Sequence, residues 1–292
     1  MTEDAWFVGV DPGDTETAAS RIREGSADAP ADWPEAAVES GFVANEDEYY
    51  ERLRAASIEA ARSAAAEAER ADDKQLMHAV RAMDDVERTA NELAERLGEW
   101  AGSLFEGDGT GGDTDRRRGG TGVDYARELA EIEPEDATEE RVVSLAERVA
   151  ELAAERDALR EYVERRAPEV APNMAEMAGP VLTARLISLA GGLEPLAKKP
   201  SGTVQVLGAE DALFAHLAGR ASSPKHGVIY VHEAVRGTRP QDHGSAARAL
   251  AGKLVIAARI DHYSGDLKPE IHDELRERIE TIRARAEEGD GE

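Results

Sequence analysis

The chain has 292 residues, a formal net charge of −26, 41% hydrophobic and only 4% aromatic residues, and no cysteine. That length allows one large domain or two to three small ones, and the missing cysteine excludes disulfides and thiolate–metal sites and fits a reducing compartment. No apolar run reaches the roughly 18 residues of a membrane span, and the opening MTEDAWFVGV has no basic region, so no secretory leader is expected and the chain reads as cytoplasmic.

Acidic residues number 61 against six Lys and 29 Arg, and they are spread over helical segments rather than gathered in one block. This composition reads as a halophilic surface, solvated in concentrated salt. At about 1 M salt the Debye length is about 3 Å, so a strongly negative chain still binds a polyanion through direct contacts.

In chain order, Trp6-Phe7-Val8-Gly9-Val10 is a short run of strand formers, and Asp11-Pro12-Gly13-Asp14 follows as a turn. Residues 1–45 therefore read as a small N-terminal α/β segment. A lone Asp11 after a short strand is too little for a nucleotide or metal site. Residues 46–105 contain no proline and read as one long helix. From Leu76 a heptad sets in, with Leu76, Met83, Ala90 and Leu97 at one position and Ala79, Val86, Leu93 and Trp100 at its partner. Residues 106–122 are a Gly/Asp linker. Its Gly107, Gly109 and Gly112 lack a preceding strand and a following Lys-Ser/Thr, so they do not make a phosphate loop. Arg116, Arg117 and Arg118 read as solubilising charge.

A second heptad helix spans 139–166, with Val142, Leu145, Val149, Leu152, Leu159 and Val163 in its seam and Arg156 at a core-type position that fixes register. Two seamed helices around a flexible connection predict a long antiparallel coiled coil over 46–167. Its seam (Leu76, Met83, Val86, Leu93, Leu97, Val142, Leu145, Val149, Leu152 and Leu159) is offered to a second copy, which predicts a homodimer. Ala167-Pro168 should end that helix. Beyond it, helical runs are expected at 174–190, 204–219 and 245–263, broken by Gly191-Gly192 and by the loop Ser222 to Gly227. Val228 to Val231 has the pattern of a short strand. An acidic helix from 268 frays into a disordered tail at 287–292.

Charge singles out one region. From Asn173 to Leu267 there are ten Lys/Arg and eight Asp/Glu, so this stretch is slightly positive while the remainder carries −28. Such an island is where an anionic partner would bind. On the 245–263 helix, Arg248, Gly252 and Arg259 fall within roughly 40° of one another, and Leu250, Leu254 and Ala257 lie on the opposite side. The first stripe offers two guanidinium forks around a residue without a side chain, a geometry that admits a phosphate backbone. The Pro224-Lys225-His226-Gly227 loop sets a cation beside an imidazole that can stack on an unpaired base. His226 and His232 are six apart, a poor metal spacing, and no metal, nucleophile or Walker motif is present, so no catalysis is expected.

The island's wording resembles a known family. In order come Ala171-Pro172-Asn173, Ala184-Arg185-Leu186-Ile187, Ala190-Gly191-Gly192-Leu193, Pro200-Ser201, Gln205-x-Leu207-Gly208-Ala209-Glu210, Ala212-Leu213-Phe214, Pro224-Lys225-His226-Gly227, Ala247-Arg248-x-Leu250-Ala251-x-Lys253 and Ala257-Ala258-Arg259-Ile260-Asp261. Together they resemble the Nop domain of the archaeal core protein of box C/D ribonucleoproteins. Upstream, Asp84-Asp85-Val86-Glu87 through Trp100 resembles that family's entry into its coiled coil. The resemblance implies an all-helical Nop domain over 168–286. It implies a scaffold without catalysis or cofactor that bridges fibrillarin and a kink-turn guide RNA already bound by a small ribosomal-protein-like subunit. The particle would direct 2′-O-methylation of rRNA or tRNA, with S-adenosylmethionine bound by fibrillarin, and the coiled coil would homodimerise. The implied RNA and partner surface comprises Gln205, Glu210, Lys225, His226, Arg236, Arg239, Arg248, Gly252, Lys253 and Arg259. The alternative is a coiled-coil oligomerisation protein whose Nop-like domain binds only protein. The family pattern has Lys where this chain has Asp211 and Arg where it has Ala215, and its basic residues before the 245–263 helix are thinned to His243-Gly244-Ser245. Each loss removes a phosphate contact.

Overall fold

The computed structural model describes residues 5–26, 31–105 and 120–289. All but the last three residues of the linker read at 106–122, its three arginines, and the tail from 290 lie outside the described residues. Among the described residues every regular element is helical. The chain forms two compact units, Met1–Ala71 and Asp72–Glu292.

The first unit holds α1 (Thr15–Glu24), α2 (Trp33–Glu39) and α3 (Glu46–Glu69). Each starts where a short polar side chain caps it: Asp14 accepts from the Thr17 amide at 3.0 Å, Asp32 from Glu35 at 3.2 Å and Asn45 from Glu48 at 2.9 Å. The expected N-terminal α/β segment is not there. Residues 6–9 form turns, with the Val8 amide donating to the Ala5 carbonyl and the Val10 amide to that of Phe7. Phe7 and Val10 are three apart, so a strand would point them to opposite faces, whereas turns bury both against Phe42 and Tyr49. Phe7 stacks on Phe42 at 5.4 Å, with Trp6 edge-on to the pair. A lone strand would also have no partner for its ladder.

The helix read as continuous over 46–105 is two. α3 ends at Glu69, and α4 starts afresh at Asp72 and runs to Phe105. No proline or glycine marks the break. In the Ala-rich half of α3 only Ala60 is buried, so little packing holds it, and Asp72-Asp73 suits a new helix N-terminus. Both acids are engaged, Asp72 by Arg166 at 2.6 Å and Asp73 by the Leu193 amide at 2.9 Å.

In the second unit α4 runs antiparallel to α6 (Ala137–Val170), and α5 (Gly122–Ala130), which carries no heptad, packs on both. Opposed ion pairs fix the direction: Asp72 meets Arg166, and Glu87 meets Arg156. α6 runs through Pro168 instead of stopping there. Pro168 is exposed in the last turn, and the one amide it lacks would have donated to the carbonyl of Glu164, itself an exposed residue. The seam is filled within one chain. Leu97, Val142 and Val149 are fully buried with Leu129 of α5, and Leu93 and Leu145 pack beside them. Leu76 and Met83 join a second core with Met174 and Leu186, which Leu159 flanks. Val86 and Leu152 are half-buried. The premise that these helices leave a whole seam open for a second copy is thus corrected: α5 and the following domain cover most of it.

That following domain wraps helices around α13 (His243–Tyr263). They are α7 (Pro172–Ala178), α8 (Pro180–Ala190), α9 (Leu193–Lys198), α10 (Ser201–Gln205), α11 (Glu210–Leu217), α12 (Glu233–Arg236) and α14 (Glu270–Gly289). Ala246, Ala247, Ala251, Ala257 and Ala258 keep α13 thin enough to be packed from several sides. The run expected as one helix at 174–190 breaks at Gly179, whose φ of +79° an L side chain rarely adopts, ahead of Pro180. Val228–Val231 is a 3-10 turn, not a strand, because no neighbouring strand offers a ladder. The domain is tied shut by Asp261, buried in α13. Its carboxylate accepts the Asn173 amide at 2.9 Å, the Asn173 side chain at 2.6 Å and the Met174 amide at 2.9 Å.

Candidate nucleic-acid interface

Three pieces of backbone meet beside the first turn of α13. The loop before the 3-10 turn is laced to the end of α10: the Gly227 amide donates to the Gln205 carbonyl at 2.9 Å and the Val228 amide to that of Leu207 at 2.7 Å. The approach is so close that a Cβ on Gly227 would overlap the Leu207 carbonyl oxygen. Gln205 is itself buried, and its side-chain amide donates to the Lys225 carbonyl at 2.7 Å and reaches the Gly244 carbonyl at 3.5 Å. This lacing lifts Lys225 to the surface, where its ammonium donates to the Pro240 carbonyl at 3.3 Å.

His226 lies flat on Tyr230, with ring centroids 4.4 Å apart, and His243 stands edge-on to both. Burial, then the charges of His243 and Lys225, hold the His226 imidazole below its ordinary range. It is therefore largely in its neutral form near pH 7. Gly244, at the start of α13, lies against the Lys225 side chain. Arg248 is exposed one turn further on, and a Cβ at Gly252 would meet nothing within 4 Å. A cation, a ring stack and a guanidinium thus border one open, side-chain-poor face.

Residues 123–283 match the family described as Nop: snoRNA binding domain, fibrillarin. The chain belongs to the Nop family. It is 36% identical to an uncharacterised NOP5 family protein of Methanocaldococcus jannaschii over 84% of this chain and 66% of that protein. It is 39% identical to nucleolar protein 56 of Schizosaccharomyces pombe over 54% of this chain and 31% of that one. With human nucleolar protein 58 it shares 32% identity over 71% of this chain and 44% of the relative. The chain thus spans two thirds or less of the length of these relatives. A chain of a fibrillarin/Nop5p crystal structure shares the fold, with a TM-score of 0.52 at 23% identity, covering 96% of this chain and 99% of that one.

Within this Nop domain the expected site residues divide. Lys225, His226, Arg248 and Gly252 come together. Arg259 lies on the same stripe, but its Nε donates to the Ala197 carbonyl at 3.0 Å, bracing α9. Lys253 leaves the face and pairs with Glu274 of α14. Arg239 is bound by Asp242 at 2.9 Å, while Arg236 is exposed at the end of α12. Glu210 turns back to accept the Gly208 amide at 2.9 Å, so it shapes the entry to α11. Gln205 points inward. The fates of Arg259 and Lys253 are not visible from helical angle alone, because each depends on a neighbour distant in sequence.

Sequence reasoning missed Tyr230 and His243 as partners of His226, since the 3-10 turn that swings Tyr230 under the imidazole has no sequence signature. The domain also carries a surface of the opposite character. α11 buries none of its residues, and its Phe214 and Leu217 are 63% and 71% exposed.

Proposed function

We propose that this chain is the scaffold of a box C/D guide ribonucleoprotein. It bridges fibrillarin and a kink-turn RNA carrying a small ribosomal-protein-like subunit, for RNA-guided 2′-O-methylation of rRNA or tRNA in the cytoplasm. The chain itself performs no catalysis and binds no cofactor; S-adenosylmethionine belongs to fibrillarin. The observation that carries the reading is Lys225, the His226 stack and Arg248 bordering the open Gly252 face in a domain of the Nop family.

The chemistry follows from the geometry. Arg248 and Lys225 neutralise phosphates. The His226 imidazole offers a flat, uncharged platform for an unpaired base. Gly252 lets the sugar–phosphate backbone lie against α13. The exposed Phe214 and Leu217 of α11 supply an apolar contact for the protein subunit beside the RNA. No helix among the described residues is long and apolar enough to cross a membrane.

Few free cations serve this surface. Asp211 and Ala215 stand where the resemblance expects a basic residue, and Lys253 is paired. Binding then leans on shape, stacking and the protein subunit, which suits a chain of charge −26 working in concentrated salt. Homodimerisation is part of the proposal. With most of the seam filled, Trp100 and Leu104, each 40% exposed on α4, are apolar groups still open to a second copy.

The test is binding of the full chain, in molar KCl, to a kink-turn RNA with its small subunit. Lys225→Ala and Arg248→Ala should each weaken binding and flatten the salt dependence by about one unit of log–log slope. Unchanged binding in both variants, or no complex with RNA at all, favours a scaffold that binds only protein through α11.

A further inference from the structure

We infer that Gln205 is a positioning residue for the RNA surface: its buried amide holds the peptide of Lys225 and so presets where that cation stands relative to α13. The inference rests on the RNA-binding reading above and deepens it.

Lys225 is a poor recognition element unless its backbone is fixed. Its side chain is long and exposed, and an unfixed backbone beneath it would add its own ordering cost to every contact the cation makes. The loop around it provides little support of its own, since Ser222 and Ser223 are exposed. Besides the bond from the Lys225 ammonium to the Pro240 carbonyl, three hydrogen bonds seat the backbone of the loop. Two are backbone bonds at its far end, Gly227 to Gln205 and Val228 to Leu207. The third is the Gln205 side chain, which reaches the Lys225 carbonyl itself at 2.7 Å. The same Nε2 approaches the Gly244 carbonyl at 3.5 Å, one turn before Arg248.

One amide therefore spans three elements: α10 that carries it, the loop that bears the ammonium, and the helix that bears the guanidinium. Gln205 is only 9% exposed, so it does not meet RNA from where it sits. Its chemistry suits the task. A glutamine NH2 has two donors and can serve two carbonyls at once, which neither a hydroxyl nor an apolar side chain of the same length can do. Without it the loop keeps its far-end bonds, but the Lys225 peptide is released. The cation must then be ordered at the moment of binding, at the expense of affinity.

This makes the effect of Gln205 conditional on Lys225, which a merely structural role would not be. The experiment is a double-mutant cycle on the full chain, with a kink-turn RNA bound by its small subunit as probe in molar KCl. Gln205→Leu removes both donors, and Gln205→Asn keeps the amide but shortens its reach. The second variant carries the test if the first does not fold, as judged by circular dichroism. Either should weaken binding roughly two- to tenfold when Lys225 is present, and add nothing when Lys225 is already alanine. Equal losses in both backgrounds, or no loss in either, overturn the inference while leaving the RNA-binding reading intact. If the unaltered chain binds no RNA, both fall together.

Discussion

Asp261→Ala should be among the most damaging single changes in the Nop domain. The carboxylate is 8% exposed and accepts three hydrogen bonds, from the backbone amides of Asn173 and Met174 and from the Asn173 side chain. Asn173 is fully buried, and its side-chain oxygen in turn accepts the Lys268 amide at 2.7 Å. One carboxylate therefore caps the start of α7, anchors α13 and fixes the turn leading to α14. Alanine leaves three donors unpaired with little access to water. Each bond to a charged acceptor is worth roughly 1.5–3 kcal/mol, but the three share one carboxylate and do not add. A loss of about 3–5 kcal/mol is expected, as when one partner of a buried charged network is removed. In a unit of this size that lowers the melting temperature by about 10 °C. Thermal unfolding followed by circular dichroism in molar KCl measures it. Hydrogen exchange locates it, with protection lost in α7 and α13 and retained in the separate unit 1–71. A loss below about 1 kcal/mol, or a loss spread equally over both units, would refute the reasoning that this carboxylate ties the domain shut.

Gly227→Ala should unseat the Lys225 loop, because the new methyl would overlap the Leu207 carbonyl oxygen. Faster exchange of the Val228 amide, with α7 and α8 unaffected, is the expected readout, and an unchanged rate would show that the loop has slack. His226 should titrate below the ordinary value of 6.5 in an NMR pH series, and its midpoint should rise in His243→Asn, which removes the second cause of the depression. Between the folded midpoint and 6.5 the unfolded chain binds more protons than the folded one, so the stability owed to this imidazole falls as pH drops through that window. A midpoint at or above 6.5 would contradict the partial burial of His226 beside His243 and Lys225.

Much of this was legible in the residues, and what was not shares a physical cause. The seam of Leu97, Val142 and Val149 is periodic over several turns, and periodicity reports burial well. It does not report what does the burying, so α5, which bears no heptad, was invisible as the third wall of that core. The open face of α13 was likewise legible, since Arg248 and Gly252 follow from 3.6 residues per turn. The pairing of Lys253 with Glu274 was not legible, because it is set by α14 packing at a separation in sequence that no local pattern spans. Trp6 to Val10 has strand composition, yet β-propensity describes fitness for a pleated surface, and no sheet exists among the described residues to provide one. The break after Glu69 lacks glycine and proline because its origin is tertiary: Asp72 and Asp73 are claimed by α6 and by the turn before α9.

α4 belongs to two cores at once. Its first turns, Leu76 to Met83, lie in the Nop-domain core, and its last, Ala94 to Phe105, in the hairpin core. At 34 residues it is about 50 Å long. The base is clamped rather than hinged: Lys74 donates to the Gly191 carbonyl at 2.7 Å, Arg81 grips Ser188, and Asp84 receives Arg185 at 2.5 Å. A clamped rod of that length acts as a ruler with one end fixed to the Nop domain. A tilt of about 5° at the clamp would carry the far tip by about 4 Å, more than a hydrogen bond spans. The spacing between whatever the tip holds and whatever the α13 face holds is therefore set at the clamp by Lys74, Arg81 and Arg185.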